Sequence, residues 1–217
     1  MNRSHRTTPS RLCAFTLVEL LTVVAILAIL MSLLFSVLGS VKESARRMQA
    51  KHDLLQVVAA INAYNAEYGV YPIKAQPAGQ STEVTFATSN SDLVATLGSL
   101  STGANEQYLL NPRRIVFMEF PLARNPANPR SGVANGNWYD PWGPQTGKPE
   151  SGIYHIRIDG SYSNFVSDPY PGDHDDNDKW HSAGDPPATI HLGVIAWSLA
   201  RTGIQTYELQ DQVLSWK

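Results

Sequence analysis

Two groups of residues in this chain combine type and spacing in a way that could do chemistry. The first is Phe15-Thr16-Leu17-Val18-Glu19-Leu20. Arg3, Arg6 and Arg11 precede it with no acid among them, and no charged residue follows from Leu20 to Leu38. A carboxylate at the edge of so long an apolar run is costly unless it finds a cation, so Glu19 is expected to pair. The second group is Asp173-His174-Asp175-Asp176-Asn177-Asp178. Asp173, Asp175 and Asn177 alternate like the first oxygen ligands of a calcium loop, with Asp178 and Asp185 as the next donors. The segment is not an EF-hand, because Asp178 stands where that loop needs Gly and Gly184 where it needs Glu. A calcium site and a solvated acidic loop both remain open. Zinc through His174 and His181 is the poorer reading, since no Cys assists. No nucleophile elbow, phosphate loop or His-Glu-x-x-His is present, and the lone Cys13 lies in the basic leader. The chain is therefore expected not to be an enzyme.

The elements that would position these groups follow from periodicity. The run Phe15 to Leu38 is interrupted by Thr16, Glu19, Thr22, Ser32 and Ser36, and its uncharged part spans about 19 residues, enough for a helix to cross a bilayer. Charged residues resume at Lys42 without a proline, and Leu54, Val57, Ile61, Tyr64 and Tyr68 then fall on one helical stripe. Gly69 and Pro72 supply the stop. One helix from Phe15 to Tyr68 is expected, apolar all round at first and then amphipathic, so that a domain must lie against its second half.

That domain should be a small α+β unit with an antiparallel sheet. A short helix is expected over Asp92–Leu100 with Ser91 as its cap, and strands over Arg114–Phe120, Ile153–Ile158, Ile190–Leu199 and Thr206–Trp216. Asn125–Asn137 is expected to be loop. The resulting organisation is a leader over 1–14, the apolar half of the helix over 15–39, its amphipathic half over 40–69 and a globular domain over 70–217. The five tryptophans are expected to serve packing rather than a ligand.

Net charge is −2, with 17 basic and 19 acidic residues. Without the three leader arginines, 14 basic residues face 19 acidic ones, a net charge of about −5. An acidic body argues against nucleic acid, whose phosphates need clustered Lys and Arg. With Cys13 in the leader, the remainder has no thiol for a disulfide.

The basic leader joined to Phe-Thr-Leu-Val-Glu and an apolar run resembles the type IV pilin and type II secretion pseudopilin superfamily. The resemblance implies cleavage by a prepilin peptidase between Ala14 and Phe15, methylation of the Phe15 amine, and Glu19 as the fifth mature residue, used in assembly, where its carboxylate is expected to seek the Phe15 amine of a neighbouring subunit. It also implies self-assembly into a fibre with other pseudopilins and inner-membrane secretion components. The N-terminus would be cytoplasmic, with one span in the bacterial inner membrane and a periplasmic C-terminal domain. Ala14 replaces the usual Gly, and Ser36 stands where the family commonly has Pro. Ala63-Tyr64-Asn65-Ala66-Glu67-Tyr68-Gly69-Val70-Tyr71-Pro72, Asp140-Pro141-Trp142-Gly143, and Val194–Gly203 with Asp211 and Leu214-Ser215-Trp216 are similar to motifs of major pseudopilins. Those proteins bind calcium in a C-terminal loop, which is what the resemblance implies for the acidic segment. Arg201-Thr202-Gly203 departs from the family's Pro-Asp-Gly, and Ile73–Asn137 is longer than the family's norm, so a partner-specific insertion is one reading there. The leading expectation is a major pseudopilin. A type IV pilin forming a surface filament is the alternative, and an anchored periplasmic binding domain is the third class. A cleaved signal ending near Ser40 and a plain signal anchor are weaker, because each leaves Glu19 without a role.

Overall fold

The computed structural model describes residues 16–74, 83–148, 151–169, 189–201 and 212–216, and of residues 34–38 the backbone alone. The chain divides into two compact units, Met1–Ser44 and Ala45–Lys217.

Helix α1 runs Leu17–Tyr68, 52 residues with no proline to break it. The helical backbone continues through Ser36, the position where the resembled family commonly places Pro. It ends as expected at Gly69, whose φ of +71° lets the chain turn away while its N–H donates to the Asn65 carbonyl at 2.7 Å. Within the second unit, Leu54, Val57, Ile61 and Tyr64 are buried and Tyr68 is half-buried, as the stripe requires. Ala50 and Ala60 join the same core. Each large side chain buried in this way contributes on the order of 1.5–3 kcal/mol.

The stripe packs on a four-stranded antiparallel sheet of β1 (Glu83–Phe86), β4 (His155–Asp159), β7 (Val194–Ser198) and β8 (Val213–Leu214), in the order β1-β4-β7-β8. Glu83 pairs with Asp159, His155 with Trp197 and Trp197 with Leu214. Alternation along the central strands divides their side chains between two cores. Ile156, Ile158, Val194 and Ala196 share a cluster with α1, while Ile195 and Trp197 join Val166, Leu199 and Leu214 in the other. The described residues also hold two small ribbons, β2 (Gly132–Ala134) with β3 (Asn137–Tyr139), and β5 (Val166–Ser167) with β6 (Thr189–Ile190). The α+β class expected from the sequence is the one observed.

Several local expectations are corrected. Arg114–Phe120 is not a strand. Arg114 has a φ of +57°, and the Phe117 and Met118 N–H groups both donate to the Leu97 carbonyl, which keeps the segment at the end of α2 (Ser91–Leu97) rather than in a ladder. Asn125–Asn137 is not all loop, because Asn135 and Gly136, both with positive φ, close the β2–β3 hairpin. Residue 90 rather than Ser91 is the N-cap of α2, and the Asn90 side chain makes no cap bond. It donates instead to the Trp138 and Tyr154 carbonyls, both at 3.0 Å, and accepts from the Trp138 N–H at 2.7 Å. The expected strand over Ile190–Leu199 is two pieces, Ile190 in β6 and Val194–Ser198 in β7. Of the expected final strand, Val213–Leu214 is strand and residues 206–211 lie outside the described residues.

Between α2 and Met118 the chain has little regular structure, and buried asparagines replace it. The Asn105 amide donates to the Leu100 carbonyl at 2.8 Å, while its oxygen accepts from the Leu110 and Asn111 N–H groups at 3.1 and 2.9 Å. Asn111 donates to the Thr96 and Ile115 carbonyls at 2.9 and 2.7 Å and accepts from the Tyr68 hydroxyl at 2.7 Å. The Tyr64 hydroxyl donates to the Leu110 carbonyl, so the helix stripe and this segment are stapled to each other.

Asp140-Pro141-Trp142-Gly143 forms a buried turn. One carboxylate oxygen of Asp140 accepts from the Trp142 and Gly143 N–H groups at 2.9 and 2.8 Å, and the other accepts from the Ser198 hydroxyl at 2.6 Å. The turn is thereby tied to β7, which brings two of the sequence motifs into one structural knot. Burial pushes the Asp140 carboxyl up, against the pull of Ser198, Gly143, Trp142 and Arg130. Gly152 must be glycine, because a Cβ there would collide with the Gly143–Pro144 backbone. Trp138, Trp142 and Trp197 are buried, as a packing role requires, and Trp180 lies outside the described residues.

Candidate assembly site at the helix start

The site is built by the first turn of α1. Thr16 precedes the helix, and its hydroxyl accepts from the Glu19 N–H at 3.2 Å. The Glu19 carboxylate returns to Thr16, accepting from its N–H at 2.9 Å and its hydroxyl at 2.8 Å. This reciprocal pair is a capping box, which satisfies donors that the helix itself leaves unpaired and places a carboxylate at the positive end of the helix dipole. The Thr-x-x-Glu spacing that announces it stands in the sequence, yet sequence reasoning assigned Glu19 a partner on another subunit and gave Thr16 no role. Within one chain, Glu19 therefore already has local partners.

Beyond Glu19 the helix surface is apolar and open. Leu17 is 78% exposed and Leu33 64%, with Leu20, Leu21, Ile26 and Ile29 all above one half. The described hydroxyls in this run after Glu19 bond back to their own helix. Thr22 donates to the Glu19 carbonyl at 2.9 Å and Ser32 to the Ile29 carbonyl at 2.7 Å. Polar side chains satisfied by their own helix can sit among apolar neighbours or lipid at low cost. Among the described residues no helix is long and apolar enough to cross a membrane. The described side chains of the apolar run are those of residues 17–33, with Glu19 among them, and the sequence stays uncharged as far as Leu38.

The other site residues singled out from the sequence fall outside what the structure describes. Ala14 and Phe15, the expected cleavage pair, lie outside the described residues. So do Asp173, Asp175, Asn177, Asp178 and Asp185, along with His174 and His181. Among the described residues no group of three or more His, Cys, Asp or Glu side chains could hold a metal ion. The buried carboxylate of Asp159, at the end of β4, is occupied by protein donors. It accepts from the Ser161 N–H at 2.8 Å, the Asn164 N–H at 2.7 Å and the Ser163 hydroxyl at 3.1 Å.

Comparison with known proteins bears on this end of the chain. Residues 10–35 match the model of the prokaryotic N-terminal methylation motif. No match was found among curated proteins or among solved structures. The matched residues contain the expected cut, the capping box and the exposed apolar turns that follow it. Over residues 10–35 the chain thus carries the methylation motif that marks type IV pilin-like and pseudopilin proteins, subunits that prepilin peptidase cuts and that assemble into fibres.

Proposed function

We propose that the chain is a fibre subunit of a type II secretion system. Prepilin peptidase would cut between Ala14 and Phe15 and the Phe15 amine would be methylated. The apolar half of α1 would hold the subunit in the bacterial inner membrane, with the C-terminal unit in the periplasm, until it joins the fibre. The observation that carries this reading is the Glu19 carboxylate fixed one turn from the expected new N-terminus, at the start of an exposed apolar helix. An amine created at Phe15 in a neighbouring copy would supply the cation that such a carboxylate needs among apolar helices. The capping box gives the carboxylate a resting partner until that amine arrives.

Two substitutions separate the two roles. Gln also serves at the third position of a capping box, so Glu19→Gln keeps the cap and removes the charge. Both Glu19→Gln and Glu19→Ala should insert in the membrane as the wild type does and fail to form fibres when expressed with the assembly machinery. Normal fibres from Glu19→Gln would show that capping alone is the function of this residue. Long surface filaments in place of secretion-dependent short fibres would favour the type IV pilin alternative.

We further propose that the segment around Asp173, Asp175, Asn177, Asp178 and Asp185 binds calcium. Four acids within six positions repel one another unless a cation screens them, and the expected mature chain has no disulfide to stabilise its C-terminal part. A ligand bound only by the folded state raises its stability by mass action. The melting temperature of the C-terminal unit should rise with millimolar calcium, fall with a chelator, and lose most of that response in Asp175→Ala. An unmoved melting curve would leave the segment a solvated acidic loop.

A further inference from the structure

We draw no further inference here: the strongest candidate, the groove of about 440 Å³ lined by Asn62, Tyr71, Asn164 and His191 beside the β6–β7 connection, carries nothing because the chain on either side of its lining runs into segments outside the described residues and nothing in the structure shows what covers it.

Discussion

Residues 45–68 of α1 and residues 98–118 contribute to the same core, yet their sequences specify it in opposite ways. The helix uses repetition. Leu54, Val57, Ile61 and Tyr64 recur at helical spacing, each backbone group finds its partner one turn away, and burial supplies the stability. The segment after α2 has no repeat. Its backbone turns through left-handed Gln107, Tyr108 and Arg114, and the groups left without ladder partners are met by Asn105 and Asn111 side chains, both fully buried. A periodic element loses packing when one residue changes. An asparagine-stapled segment loses partners for several backbone groups at once, and each is costly to leave buried and unmet.

That contrast can be broken by substitution. Ile61→Ala should have the larger effect, destabilising the C-terminal unit by about 2–5 kcal/mol in denaturant melts, through lost burial and a cavity under the sheet. Asn111→Ala should cost about 1–3 kcal/mol for the groups it strands, and it should expose residues 105–118 to hydrogen exchange while the helix amides stay protected. If Asn111→Ala left exchange in that segment unchanged, the staple account would fail even with a lower melting temperature.

A smaller effect concerns the polar contact between helix and sheet. The Tyr154 hydroxyl donates to the Asp53 carboxylate at 2.6 Å. Burial holds the Asp53 carboxyl above its ordinary range, opposed by the Tyr154 hydrogen bond and by His52. A carboxyl whose folded pKa is raised binds its proton more tightly in the folded state, so its contribution to stability declines as pH rises from the ordinary aspartate range through the folded value. Asp53→Asn retains an acceptor for Tyr154 and removes the ionisation. Its melting temperature relative to wild type should therefore improve on going from acidic to neutral pH. A difference that is the same at both would assign Asp53 no linkage.

The parts legible in the sequence were those where one physical rule acted alone. Helix α1 followed from unbroken helical spacing and from Gly69 and Pro72 at its end. The central strands followed from Ile-rich alternation at Ile156 and Ile158 and from the apolar run Val194–Trp197. Arg114–Phe120 misled because its composition suits a strand while its backbone is claimed by the Leu97 carbonyl and by Asn111, a tertiary preference that no local pattern displays. The β2–β3 hairpin was legible in Asn135-Gly136 but was hidden by the many Asn, Pro and Gly residues just before it. At the candidate site, Glu19 was legible because a charge in an apolar run demands a reason. Thr16 was missed because that reasoning sought a partner across subunits and passed over the one three residues away.

The central claim is that residues 10–35 are a processing and assembly signal, and the mature N-terminus tests it most directly. Protein purified from its native host and examined by intact-mass and N-terminal peptide mass spectrometry should begin at Phe15 and carry one methyl group on its amine. A chain that retains residues 1–14, or one that begins at Ser40 as a secretory signal would leave it, would contradict the account.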